Sequence, residues 1–129
     1  MSISKDVYSA GPFKKIFAQA VKVGDTLYIS GQVGIKADGT PGADIIEQTQ
    51  LAYANIQQVL AKYNANAQNI VDETWFTTDM KNLMKQSDAV FATRGEFYEG
   101  KAEVCQTVVE VSALVMPELL LEIKCVAKL

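Results

Sequence analysis

The sequence predicts an α+β domain with one mixed sheet and two helices on one face of that sheet. Two amphipathic stretches of helical period are separated by a stretch rich in β-branched residues. Pairs of extended, apolar stretches precede and follow them, so the predicted order is β-β-α-β-α-β-β. With 129 residues the chain forms one predicted domain, residues 1–129, which is large enough for a normal hydrophobic core.

Composition disfavours several functional classes. The chain contains no histidine, which excludes Ser-His and Cys-His nucleophile pairs and every His-ligated metal site. A net charge of −3 without a basic patch argues against a nucleic-acid partner. No apolar run reaches the ~18 residues of a transmembrane helix or resembles a signal peptide, so we expect no membrane partner and a cytoplasmic location. Cys105 and Cys125 lie in apolar segments without C-x-x-C spacing and are expected to be reduced core thiols.

A polar lead-in through Lys15 precedes a predicted β-hairpin. Residues 16–24 and 26–35 form two extended runs, and Gly24-Asp25 between them is a typical turn pair. Gly31 and Gly34 interrupt the second run. Glycine inside a strand indicates either a β-bulge or a place where another group approaches the backbone closely.

The first helix has the clearest local signals in the chain. Asp44 is a predicted N-cap, and Glu47 follows three residues later as in a capping box. Apolar residues then recur at a spacing of three and four as far as Tyr63, which predicts one core-facing stripe. Residues 70–79 are rich in β-forming residues and predict the strand between the two helices.

The second helix is predicted over about residues 82–98, and its apolar stripe includes Arg94. Three interpretations of Arg94 are open. Its long side chain can extend from the seam to solvent. Alternatively, its guanidinium lies at the lip of a cleft, where it suits a carboxylate, or it pairs with a buried acid.

The last quarter of the chain is predicted to form an apolar hairpin, with two strands joined around residues 115–118. Glu122 interrupts the second of these strands. It is either a buried carboxylate that needs a partner, or it shares a wet strand face with Lys124. Because the helices cover only one sheet face, we expect subunits to associate through the other.

Three separated stretches, LYISGQVG, FTTDM and VEVSALVMPELLLEIKCVA, resemble in the same order the RidA/YjgF family of reactive-intermediate deaminases, also described as endoribonuclease L-PSP-like. The likeness covers about residues 16–127. It implies a chorismate-mutase-like fold, a homotrimer, and small-molecule clefts between subunits. It also implies hydrolysis of enamines and imines, such as 2-aminoacrylate, to keto acids and ammonia without a metal or cofactor.

The resemblance assigns roles to individual positions. Ser30 and Gly31 match the family's S-G motif, whose backbone faces the ligand. Glu122 matches the first acid of the E-I-E pattern, which positions or activates water, and Phe17 matches a family tyrosine without its hydroxyl. The second acid of that pattern is Lys124 here.

Two matched positions depart from the family. Gln106 stands where the P-A-R motif has the arginine that grips the substrate carboxylate, and Arg94 stands where a helix motif has tyrosine. A glutamine amide donates to an oxygen but has neither the charge nor the guanidinium fork. The predicted catalytic residues are therefore Glu122 and Gln106, and the predicted substrate-binding residues are Phe17, Ser30, Gly31 and Arg94, with no metal site.

Three functions are compatible with these residues. The first is an enamine or imine deaminase of altered substrate range, in which Glu122 orients water and Gln106 holds a neutral oxygen. The second is a non-catalytic trimer that binds a small metabolite in the same inter-subunit cleft. The third is a ribonuclease, which the acidic balance and the lack of histidine disfavour.

Overall fold

The computed structural model describes residues 2–129 and contains one six-stranded sheet. The sheet order is β1-β2-β3-β6-β4-β5, with a parallel β4–β5 pair and antiparallel neighbours elsewhere. The elements are β1 (Asp6–Tyr8), β2 (Ala20–Val23), β3 (Thr26–Val33), α1 (Ile45–Ala61), β4 (Ile70–Thr77), α2 (Met80–Lys85), α3 (Ser87–Phe97), β5 (Cys105–Glu110) and β6 (Leu121–Lys128), with a 3₁₀ turn over Ala67–Asn69 before β4.

The predicted α+β class with a mixed sheet is confirmed, although two elements differ. The lead-in contains the short strand β1, in which Val7 pairs with Val21 of β2. The second predicted helix is two helices, because Gln86 leaves helical geometry at φ −99° and ψ 17°. The predicted elements rest on hydrophobic periodicity. A strand of three residues and a break of one residue are too short to change that periodicity.

The predicted C-terminal hairpin is wrong. β5 pairs in parallel with β4 at the edge of the sheet, whereas β6 lies between β3 and β4. Every second residue of β6, from Leu121 to Ala127, is fully buried, while Cys105 and Thr107 on β5 are exposed. The more apolar strand therefore occupies the centre. Cys125 is buried as expected, but the expectation of a buried Cys105 is wrong because β5 is an edge strand.

The predicted turn of the first hairpin and the predicted N-cap of the first helix are confirmed, but the capping box is not, because the Glu47 side chain accepts from the Ala43 N–H rather than from that of Asp44. Val23 pairs with Thr26, which leaves Gly24 and Asp25 as the turn, and Gly24 has a φ of +60° that favours glycine. The Asp44 side chain accepts from the Glu47 backbone N–H at 2.8 Å.

The hydrophobic core lies between the sheet and α1. Trp75 and Ile123 of the sheet and Ile56 of α1 are fully buried, and α3 covers the same sheet face. Within residues 2–129 no helix lies over the opposite sheet face, which carries Tyr28, 50% exposed. No helix in the described part of the chain is both long enough and apolar enough to cross a membrane.

Candidate functional site

A cleft of about 640 Å³ lies beside the middle of β3. Four of the six predicted site residues line it: Phe17, Ser30, Gly31 and Glu122. The strand β3, the segment before β2 and the helix α1 form its walls. The remaining lining includes six large apolar side chains, namely Phe13, Ile16, Val33, Ile35, Val59 and Val115.

The centre of the cleft is a bulge in β3. The register between β3 and β6 shifts between Ile29 and Gln32, so Ser30 and Gly31 lie where the ladder is interrupted. A Cβ atom built on Gly31 would overlap the carboxylate of Glu122. Of the two interpretations of Gly31, a β-bulge or a close approach of another group, both hold at this position.

Gly34 also marks a close approach, but of a different group. A Cβ there would overlap the backbone of Gln48 on α1. This glycine allows the end of β3 to pack against the helix and thus fixes the distance between two walls of the cleft.

Glu122 is the only acidic residue that lines the cleft within residues 2–129. Its side chain is half-buried. Burial raises its pKa above the ordinary value for glutamate, and the charge of Lys124 on the same strand face opposes that shift. A carboxylate with a raised pKa in an apolar cleft is suited to exchanging protons with a bound water or ligand.

Ser30 contributes its backbone to the cleft rather than a free hydroxyl. Its Oγ donates to the Ala18 carbonyl at 2.6 Å, which ties β3 to the segment before β2. That segment carries Phe17, whose ring stacks on Phe13 with centroids 5.7 Å apart. The two rings form an aromatic wall opposite β3.

Carboxamide side chains hold the polar end of the cleft. Gln32 Nε2 donates to Gln19 Oε1 at 3.1 Å and to the Ser30 carbonyl at 3.0 Å. Asn55 Nδ2 on α1 donates to the Val33 carbonyl at 3.0 Å. These bonds fix the backbone around the bulge.

The other two predicted site residues, Arg94 and Gln106, lie in a separate cluster around Glu73, which we call the Glu73 cluster. Glu73 on β4 is fully buried. Its Oε1 accepts from the hydroxyls of Tyr53 at 2.8 Å and Tyr98 at 2.9 Å. Its Oε2 accepts from Arg94 Nε at 2.5 Å and Gln106 Nε2 at 3.0 Å. A buried carboxylate with four donors satisfies the requirement that buried charge be paired.

Arg94 therefore does not simply extend to solvent, because its guanidinium binds an internal acid. Its side chain is 15% exposed. Burial acts to lower the pKa of Arg94, but the hydrogen bond and charge of Glu73 outweigh it and raise the pKa. Burial, followed by the charge of Glu73, raises the pKa of Tyr53 and of Tyr98, so both phenols remain neutral donors.

Within one chain the side chains of Glu73 and Glu122 point to opposite faces of the sheet. Glu73 pairs with Gln106 across β4 and β5, whereas Phe76 pairs with Glu122 across β4 and β6. Glu73 and Phe76 are three residues apart on one strand and so face opposite sides. The expectation that Gln106 and Glu122 act on one ligand therefore requires two chains.

Sequence reasoning missed Glu73, although a signal was present. Glu73 alternates with Trp75 and Thr77, both of which are fully buried. A charged residue on the inward face of a strand predicts a buried ion pair. All four of its donors lie at least 20 residues away in sequence, and no local pattern identifies them.

Comparison with known proteins supports the fold and the family. A family model described as Endoribonuclease L-PSP matches residues 9–129. The RutC family protein YjgH of Escherichia coli is 35% identical over 82 residues, which are 64% of this chain and 60% of that protein. The 2-iminobutanoate/2-iminopropanoate deaminase of Mus musculus is 30% identical over 102 residues, 77% of this chain and 66% of that protein. These matches span less than two thirds of either relative's length.

Solved structures have the same fold over almost the whole chain. The structure of protein YjgH gives a TM-score of 0.81 at 31% identity, covering 95% of this chain and 94% of that chain. The structure of YyfA, of the conserved Rid protein family from Yersinia pestis, gives a TM-score of 0.82 at 30% identity, covering 98% of this chain and 100% of that chain.

Proposed function

Because the chain belongs to the Endoribonuclease L-PSP family, which includes the RidA/YjgF proteins, we propose a hydrolytic function. The proposed reaction is the hydrolysis of small imines or enamines to carbonyl compounds and ammonia. One observation carries the proposal. A half-buried carboxylate, Glu122, lies against Gly31 in an otherwise mostly apolar cleft large enough for a small metabolite. A relative that this chain resembles is named as a 2-iminobutanoate/2-iminopropanoate deaminase.

The carboxylate of Glu122 has a direct role in this reaction. A water oxygen forms a bond to the imine carbon while Glu122 accepts one water proton and passes it to the imine nitrogen, which gives a carbinolamine. Glu122 then accepts the carbinolamine hydroxyl proton as the C=O bond forms and the C–N bond breaks. It delivers that proton to the departing nitrogen, which leaves as ammonia.

The rest of the cleft binds and orients the ligand. Phe13 and Phe17 provide a flat apolar surface. Gly31 lies at the bulge, where the ladder to β6 is interrupted, and Ser30 beside it is held by bonds from its N–H to the Gln19 carbonyl and from Gln32 Nε2 to its own carbonyl. Fixed groups of this kind lower the barrier by holding water and substrate in a reactive arrangement.

The proposed assembly is a homotrimer with its clefts between subunits. Two features support association. β5 is an edge strand, and such strands are usually covered. The sheet face without helices exposes Tyr28 and Val109, which are 50% and 38% exposed. Sedimentation is expected to give a trimer mass, and a monomer mass at every concentration would contradict it.

Turnover tests the function. 2-Iminobutyrate is generated in situ by an amino-acid oxidase, and 2-oxobutyrate release is measured above the spontaneous rate. We expect acceleration by the native protein and none by Glu122→Gln. Ligand-dependent thermal stabilisation without acceleration would instead identify a non-catalytic binding protein.

A further inference from the structure

Two carboxamide side chains that line the Glu122 cleft, those of Gln19 and Gln32, form an incomplete amide pair. Gln32 Nε2 donates to Gln19 Oε1 at 3.1 Å, so the two side-chain amides are in contact. A complete cyclic pair would also join Gln19 Nε2 to Gln32 Oε1, and within residues 2–129 that second bond is absent. One donor and one acceptor of the pair are therefore left over.

The backbone fixes which atoms are left over. The Ser30 carbonyl can only accept, and it accepts from Gln32 Nε2 at 3.0 Å. Gln32 therefore presents its amino group to Ser30 and Gln19, and Gln19 presents its oxygen to Gln32. The unused atoms are the amino group of Gln19 and the oxygen of Gln32.

Both unused atoms are accessible to a ligand. Among residues 2–129 the sole buried side-chain polar atom without a partner is the Tyr63 hydroxyl, so solvent reaches Gln19 Nε2 and Gln32 Oε1. The rest of Gln32 is buried, since the residue is only 8% exposed. Because both glutamines line the cleft, a ligand bound there can replace that solvent.

The backbone of Gln19 is also held in place. Its N–H donates to the Tyr8 carbonyl at 2.8 Å, and its carbonyl accepts from the Ser30 N–H at 2.9 Å. With its side-chain oxygen bound to Gln32 as well, Gln19 presents its amino group from a fixed position. A donor fixed in this way discriminates between ligand groups that accept and groups that do not.

The charges around the cleft disfavour an anionic ligand. Within residues 2–129 Glu122 is the only acid that lines the cleft and Lys36 is the only cation. Lys36 Nζ lies 3.6 Å from Glu47 Oε1, so its charge is already paired. Arg94 is bound to the buried Glu73 and does not line the cleft. A carboxylate ligand would therefore meet the charge of Glu122, whereas a neutral ligand avoids that repulsion.

We propose that Gln19 and Gln32 bind a carboxamide group of the ligand, which makes neutral 2-imino amides the preferred substrate class and 2-imino acids of the same size the weaker substrates. The oxygen of the ligand amide accepts from Gln19 Nε2, and its N–H donates to Gln32 Oε1. A carboxylate in the same place would set an oxygen against Gln32 Oε1 with no proton between them. The inference rests on the proposed function for the imine, whose C=N bond is replaced by C=O as ammonia leaves, while the carboxamide stays intact.

Binding of two matched products tests this preference in the native protein. 2-Oxobutanamide and 2-oxobutyrate have nearly the same size and differ only in a carboxamide against a carboxylate. We expect calorimetric titration at neutral pH to give a Kd for 2-oxobutanamide that is lower by about 10-fold or more. Equal Kd values, tighter binding of 2-oxobutyrate, or no measurable binding of 2-oxobutanamide would overturn the proposal.

A variant of Gln19 separates its two roles. Gln19→Glu keeps an oxygen that accepts from Gln32 Nε2 and replaces only the unused amino group. Because 2-oxobutanamide is uncharged, we expect its Kd to rise about 10-fold from loss of the donor, with little change in melting temperature. Gln50→Glu makes the same change at an exposed position of α1 outside the cleft and is expected to bind both ligands as the native protein does. A folded Gln19→Glu protein that binds 2-oxobutanamide normally would overturn the proposal.

The two proposals fail separately. Tighter binding of 2-oxobutanamide without accelerated imine hydrolysis would refute the proposed function alone. Accelerated hydrolysis with tighter binding of 2-oxobutyrate would refute the role of Gln19 and Gln32 alone. If Gln19→Glu does not fold, the comparison of the two ligands in the native protein decides.

Discussion

The Cα of Gly31 on β3 lies so close to the carboxylate of Glu122 on β6 that no side chain fits between them. The bulge in β3 brings the two residues together from neighbouring strands. Position 31 therefore controls where the proposed catalytic carboxylate lies.

Gly31→Ala is expected to displace the Glu122 carboxylate and to lower kcat about 100-fold, while the fold is kept because the displaced atoms are the end of a flexible side chain. Steady-state kinetics and a thermal melt measure both effects. Gly95→Ala is the matched control, because a Cβ there meets nothing within 4 Å. As a helix-interior change it is expected to add about 0.5–1 kcal/mol of stability with normal activity. Normal kcat in Gly31→Ala would contradict this account of the bulge.

Glu122→Gln removes the proposed proton acceptor and keeps the size of the side chain. We expect kcat to fall about 10²- to 10⁴-fold, the usual contribution of a general base. Glu96→Gln changes an exposed acid on α3 and serves as the control. A Glu122→Gln enzyme that retains most of its activity would remove Glu122 from the mechanism.

The raised pKa of Glu122 also predicts a pH dependence of stability. Burial raises its pKa in the folded protein, so between the ordinary glutamate pKa and the raised value the folded state binds more protons than the unfolded chain. The contribution of Glu122 to the free energy of unfolding is therefore lost as pH rises through that interval. Glu122→Gln is expected to melt at a higher temperature than the native protein at neutral pH, and the difference should vanish in acid. A difference independent of pH would contradict the assignment.

The Glu73–Arg94 pair predicts a large effect on stability. Arg94→Met leaves the fully buried Glu73 without its cation and is expected to lower the free energy of unfolding by about 3–5 kcal/mol. Denaturant titration measures it. Lys81→Met, at an exposed position of α2, should change stability by less than about 0.5 kcal/mol. An Arg94→Met protein of native stability would show that the three neutral donors alone satisfy Glu73.

Features set by adjacent residues were predictable from the sequence. The Gly24-Asp25 turn depends on local backbone conformation, and the Asp44 cap depends on a bond to a residue three positions later. The bulge at Gly31 depends on the absence of a side chain there. The family motifs also placed Ser30, Gly31 and Glu122 in one cleft.

Features set by distant residues were not predictable in this way. Successive apolar strands read as a hairpin, but β6 inserts between β3 and β4 because it buries more apolar surface there than at an edge. Likewise, Arg94 was expected to reach either a cleft or a buried acid, and the acid is now known to be Glu73. Tyr53, Glu73 and Arg94 are far apart in sequence and meet only through tertiary packing.

The most direct test of the account is the rate of 2-oxobutyrate release from 2-iminobutyrate, measured with equal amounts of folded native protein and folded Glu122→Gln. The account predicts that the native protein accelerates release above the spontaneous rate and that Glu122→Gln loses most of this acceleration. A native protein that does not exceed the spontaneous rate would contradict the account.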